Sequence, residues 1–212
     1  WASPAWARRA APAALAACCV LGRPAAAAEE LVPLTLTLVH YVRGDLVGLV
    51  LGTITLSPIF IVVAYATLLV ALRFPLRLVF TFVGQMGNVV FNLVLKHLFK
   101  QPRPVRDHLI YFGRYGMPSN HAQFVFFTAV FTTLAAGHRG SGGASAIPFK
   151  PLVLLFLWAL ALLTSFSRVY LEYHSVDQVV AGSSVGAATG WAWFVVYARL
   201  FSSAAAGRPK LR

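Results

Sequence analysis

Acidic residues are almost missing: Glu29, Glu30, Asp45, Asp107, Glu172 and Asp177 are the whole set in 212 residues. They are too few and too scattered to build a two-metal phosphatase site. Cysteine is scarcer still. Cys18 and Cys19 are adjacent, so they form no disulfide framework, and no Cys/His cluster has zinc spacing. Charged residues of both signs make up only 11% of the chain, against about 25% in soluble domains. No aromatic-basic platform or nucleic-acid motif is present. The net charge of +12 therefore points to an anionic lipid surface and an anionic substrate rather than to nucleic acid.

What the chain does have is long apolar sequence. Hydrophobic residues make up 58%, and several runs reach the roughly 20 residues needed to cross a bilayer. The expected fold is all-α, a polytopic membrane helical bundle of about five spans. The spans are placed at 46–72, 76–99, 119–137, 150–171 and 174–201. Pro58 breaks the first into a short leading helix and a longer segment ending near Arg73. Residues 1–30 are Ala-rich, carry Arg8, Arg9 and Arg23, and read as a disordered or targeting leader. Residues 31–201 are expected to form the membrane domain and 202–212 a basic cytosolic tail.

The linkers orient the bundle. Arg73 and Arg77, then His138, Arg139 and Lys150 beside the Gly/Ser-rich loop Gly140–Ser145, then Arg208, Lys210 and Arg212, all fall on one side. By the positive-inside rule that side is cytosolic. The remaining basic residues cluster on the opposite side, where charge is retained for a ligand or partner.

Those residues form three patches: Lys96 to Arg103-Pro104, Pro118-Ser119-Asn120-His121, and Ser167-Arg168 followed by His174. A transferring phosphoryl group needs fixed positive charge on its oxygens, a nucleophile, and an acid for the leaving group. Lys96, Arg103 and Arg168 fit the clamp, since Arg offers a planar fork and Lys a point charge. His174 fits the nucleophile, provided that a partner holds it neutral and oriented. Asp177 and Gln178, three and four residues on, can both reach it on a helix. His121 fits the general acid. Ser119 looks like the N-cap of the third span, where backbone N–H groups favour an anion.

Two stripes accompany the patches. Gln85, Asn88, Asn92 and Lys96 share one helical face, as a groove wall or as interhelical hydrogen bonds. Gly182, Gly186 and Gly190 lie below His174 and Gln178 on the last span, a close-packing seam.

At these motifs the sequence resembles the type 2 phosphatidate phosphatase and vanadium-haloperoxidase superfamily, with its K-x6-RP, PSGH and SR-x5-H-x3-D patterns. Asn120 stands in place of the usual Gly, and Gln178 in place of the usual Asp. The resemblance implies a helical, metal-independent phosphatase with no cofactor, a histidine nucleophile at His174 and phosphate contacts at Lys96, Arg103, Ser119, Asn120 and Arg168. Within the superfamily the chain is most similar to dolichyl diphosphatases, over roughly residues 35–200. The matching stretches are Gly44-Asp45-Leu46 to Leu56-Ser57-Pro58, Tyr115 to Ser119, and Ser167 to His174. Gln at position 178 fits that branch. It implies hydrolysis of dolichyl diphosphate on the luminal face of the endoplasmic reticulum membrane, in support of protein N-glycosylation, with no obligate protein partner. The alternative is a phosphatidate or broad lipid phosphate phosphatase of a plastid envelope or other membrane, which the leader favours. A non-catalytic lipid-phosphate binder would need the cations but not both histidines, and a haloperoxidase would sit in a soluble bundle.

Overall fold

The computed structural model describes residues 31–33, 39–103, 115–138 and 149–206. The expected leader at 1–30, Pro104, the Arg139–Ser145 loop and the basic residues Arg208, Lys210 and Arg212 lie outside them.

Two strands, β1 (Leu31–Pro33) and β2 (His40–Val42), pair antiparallel and precede the helices. Helix α1 spans Leu46–Ile54, and its first turn is capped by the Asp45 carboxylate, which accepts from the Gly48 N–H at 2.9 Å. The chain breaks at Thr55-Leu56 and restarts as α2 (Ser57–Ala71) with Pro58 in its first turn. Proline lacks an N–H and is tolerated there, where no intrahelical acceptor is waiting. The break therefore falls where the sequence placed it. Helix α3 covers Leu76–Phe99 and ends at Lys100, whose left-handed backbone (φ 49°) stops the helix. Helices α4 (Asn120–Gly137), α5 (Lys150–Tyr170) and α6 (Val176–Ala206) complete the bundle.

Among the described residues, four stretches are long and apolar enough to cross a membrane: Leu46–Ala71, Leu76–Phe99, Lys150–Tyr170 and Val176–Phe201. Their outer faces expose Val90, Leu93, Leu98, Leu155, Phe156 and Trp191, as lipid contact requires. The chain is a multi-pass membrane protein. Helix α4 differs because it is the axis of the bundle. It begins with Asn120, His121 and Gln123, buries residues on every side and touches α2, α3, α5 and α6. Phe124, Val125 and Ala129 pack with Ala161 of α5, while Phe127 and Phe131 pack with Tyr197 and Phe201 of α6.

The glycine seam brings α6 against α4. A Cβ at Gly182, Gly186 or Gly190 would collide with the backbone of Ser119, Gln123 or Phe127. Small residues let two helix backbones touch where lipid offers no hydrophobic drive for association. The polar stripe of α3 faces the same axis and is an interhelical network. Gln123 donates to Asn88 Oδ1 at 2.8 Å, Asn92 donates to Gln123 Oε1 at 2.7 Å, and Thr128 donates to Gln85 Oε1 at 3.0 Å. Buried amides need such partners, since each unpaired polar group costs about 1–3 kcal/mol.

At the end of the bundle away from the patches, Arg77 lies over the Phe201 ring and Lys150 donates to the Ala136 carbonyl.

Candidate active site

The three sequence patches meet at one end of the bundle. Lys96 closes α3, Ser119 and His121 open α4, Arg168 closes α5, and His174 lies just before α6. Two links tie these ends together. Pro102 and Tyr115 form an isolated antiparallel bridge, and the Gly116 N–H donates to the Gln101 carbonyl at 2.7 Å. Lys96 Nζ donates to the Tyr115 carbonyl at 3.3 Å, and Asn92 donates to the Pro118 carbonyl at 3.3 Å. Lys96, the phosphate-binding candidate of α3, is thus fixed to the turn that leads into α4.

Gln178 is the hub. Its carbonyl accepts the Ser119 N–H at 2.9 Å, its side-chain Nε2 donates to the Pro102 carbonyl at 2.9 Å, and its Oε1 lies 3.0 Å from His174 Nδ1. The Pro102 carbonyl can only accept, so the amide's NH2 end is committed to it. Oε1 is then the atom at His174, and an amide oxygen can only accept, so Nδ1 carries the proton. Nε2 of the imidazole keeps its lone pair. Gly116 makes room for this arrangement, because a Cβ there would strike the Gln178 amide.

His174 is buried, and its acidity follows from its setting. Burial first, then the positive charges of Arg168 and Arg103, hold its pKa well below the usual imidazole range, against the smaller opposing effect of the Gln178 hydrogen bond. That direction favours the neutral imidazole, the form a nucleophile needs. The carboxylate alternative does not reach it. Asp177 is exposed, whereas Gln178 is buried.

Lys96 and Arg168 have neutral hydrogen-bond partners. Arg168 is buried, and its Nη1 donates to Thr55 Oγ1 at 2.7 Å. Its Cζ lies 4.2 Å from the centre of the Tyr173 ring, a cation–π distance. The Tyr173 hydroxyl accepts the His40 N–H at 2.8 Å, so strand β2 steadies it. Burial lowers the pKa of Arg103 from its ordinary value, against the influence of Tyr173. Arg168, Arg103 and Lys96 all act electrostatically on both His174 and His121.

Ser119 occupies the N-cap position of α4, but its own N–H is taken by Gln178. Its buried hydroxyl has no hydrogen-bond partner. The half-buried Asn120 and His121 follow in the first turn, whose N–H groups have no acceptor within the helix. Sequence reading missed Thr55 and Tyr173. A hydroxyl at a helix break gives no signal of its distant partner, and Tyr173 stands out in the sequence only as part of the stretch leading to His174.

Among the described residues, no three His, Cys, Asp or Glu side chains gather as a metal site requires. The gathered set is one neutral imidazole, a second histidine and three cations at the mouth of a membrane bundle. Chemically, that set suits transfer of a phosphoryl group to nitrogen.

The chain belongs to the PAP2 superfamily, whose family model matches residues 74–202. It is 37% identical over 169 residues to Dolichyldiphosphatase 1 of Mus musculus, covering 77% of this chain and 71% of that one. It is 35% identical over 180 residues to Dolichyldiphosphatase of Saccharomyces cerevisiae, covering 79% and 71%. It is also 36% identical over 169 residues to Lipid phosphate phosphatase gamma of Arabidopsis thaliana, covering 79% and 74%. In three dimensions it is similar to a transmembrane PAP2 type phosphatidylglycerolphosphate phosphatase of Bacillus subtilis. That match has a TM-score of 0.60 at 20% identity and covers 80% of this chain and 82% of the other. It shows a shared fold.

Proposed function

We propose that this protein hydrolyses dolichyl diphosphate to dolichyl phosphate and inorganic phosphate through a phosphohistidine. The observation that carries the chemistry is the Gln178–His174 hydrogen bond, which presents an unprotonated Nε2 among three cations. The substrate is supported by likeness to dolichyldiphosphatases of mouse, human, Dictyostelium discoideum and yeast.

In this reading His174 Nε2 attacks the terminal phosphorus and the bridging P–O bond breaks. Lys96, Arg103 and Arg168 hold the equatorial oxygens, whose charge is spread in the transition state. The Ser119 hydroxyl and the first-turn N–H groups at Asn120 and His121 complete the cradle. Dolichyl phosphate departs without needing a proton; where the leaving group is an alkoxide, His121 supplies one. His121 then takes a proton from the water that attacks the phosphohistidine, releasing phosphate and restoring His174.

The charge of the linkers supports a site on the non-cytosolic face. Together with the dolichyl substrate, it supports a luminal site in the endoplasmic reticulum membrane, in the service of protein N-glycosylation.

The test is phosphate release by the purified protein in detergent with chelator present. Dolichyl diphosphate and phosphatidate would be compared side by side. Metal-independent release much faster from dolichyl diphosphate is the expected result. Preference for phosphatidate would move the protein to the broad lipid phosphatase reading, which the Arabidopsis relative supports.

Orientation of the nucleophile gives a separate expectation. Gln178→Ala should lower kcat by about 10- to 100-fold, as loss of a histidine-orienting partner does. Asp177→Asn should leave kcat within about 2-fold, as a surface change does. Equal losses from the two would remove the orienting role of Gln178.

A further inference from the structure

Thr55 lies outside the stretch that the family model matches, in the break between α1 and α2. It is 1% exposed, and its hydroxyl is the acceptor for Arg168 Nη1 at 2.7 Å. A second bond sits beside it: the Ser57 and Thr164 hydroxyls are 2.9 Å apart, joining the start of α2 to α5 one turn below Arg168. The helix break is therefore docked on α5 by side chains.

A guanidinium has two edges that can grip an anion bidentately, plus the outer side of Nη1 beside Cδ. Thr55 occupies Nη1. The Tyr173 ring lies against the group, its centre 4.2 Å from Cζ. Together they restrict how the group can turn. Nε is buried and has no hydrogen-bond partner. It is a buried donor left for a ligand. Nε lies on the same edge as Nη2, and this pair is the fork that matches two oxygens of a phosphate.

We infer that Thr55 is a positioning residue, which turns the Nε/Nη2 edge of Arg168 toward the transferring phosphoryl group. The helix break then has a purpose beyond accommodating Pro58. A continuous helix through residues 54–57 would bond the Thr55 hydroxyl back to its own turn, as mid-helix threonines do. The inference rests on the functional reading above for the identity of the reaction, but not for the binding of a phosphate-like anion.

Thr55→Val keeps the shape and removes the acceptor. It should lower kcat/KM by about 10- to 100-fold, the scale of a misplaced positioning group. Thr55→Ser should stay within about 3-fold, since the hydroxyl is kept. Inhibition by orthovanadate, a geometric analogue of the phosphoryl transition state, should weaken in Thr55→Val by a comparable factor. In an Arg168→Lys background, Thr55→Val should cost little more, because two residues that act as one unit are not additive. Ser57→Ala cuts the neighbouring bond without touching Arg168 and should retain activity.

The inference is overturned by an active Thr55→Val, by equal losses in Thr55→Val and Ser57→Ala, or by full additivity with Arg168→Lys. If the wild type hydrolyses neither lipid, the functional reading falls. Vanadate binding by calorimetry, wild type against Thr55→Val, then still decides the role of Thr55.

Discussion

His174→Ala is expected to reduce phosphate release from dolichyl diphosphate by about 10⁴-fold or more, the scale seen when a covalent nucleophile is deleted. Binding of the lipid should change only a few-fold, because the clamp of Lys96, Arg103 and Arg168 does not depend on the imidazole. The asymmetry follows from where the side chain stands. His174 is held by its own backbone N–H on the Arg168 carbonyl at 3.1 Å and by Gln178 on Nδ1. Neither contact positions a cation. The wild type should also yield a phosphorylated protein when quenched with acid-sparing reagents during turnover of substrate labelled on its terminal phosphate. The label should be stable to base and labile to acid, as a P–N bond is. Turnover of His174→Ala above about 1% of wild type would rule out covalent catalysis at this position.

A second large effect is expected at His121, and its size should depend on the leaving group. A phosphatidate leaves as an alkoxide, whose conjugate acid is nearly as weak an acid as water. A dolichyl diphosphate leaves as a phosphate monoester, whose conjugate acid has a pKa of about 6. Only the first needs a proton to depart at neutral pH. His121→Gln should therefore cost about 10²- to 10⁴-fold with phosphatidate, the range for lost general-acid catalysis. The loss with dolichyl diphosphate should be much smaller. The comparison is made on single-turnover release of the lipid product, which isolates the first step from later hydrolysis of the phosphohistidine. Equal losses on both lipids would show that His121 is not the acid for the leaving group.

The parts of this fold that were legible in the sequence are those written in local patterns. Apolar runs gave the spans, because a bilayer demands length and uniform hydropathy. The break at Pro58 was visible because proline has a fixed local cost. The stripe of Gln85, Asn88 and Asn92 was legible as a face, but its two meanings could be separated only by seeing Gln123 and Thr128 opposite. The same holds for His174. Spacing allowed both Asp177 and Gln178; exposure of the first and burial of the second are set by how α6 packs on α4. Nothing local announces the pairing of β1 with β2, since three-residue strands carry no period. The contact of Thr55 with Arg168 joins residues 113 positions apart, which no motif or periodicity can encode.

The site lies at the end of helices whose outer faces expose Leu93, Leu98, Leu155 and Phe156. For a lipid substrate, the tail never leaves the bilayer and only the head group reaches the cations. Encounter is then a search in a plane, and saturation reflects the mole fraction of substrate among its neighbours. Diluting the membrane with inert lipid slows the enzyme, while diluting the suspension with buffer leaves each membrane's rate untouched.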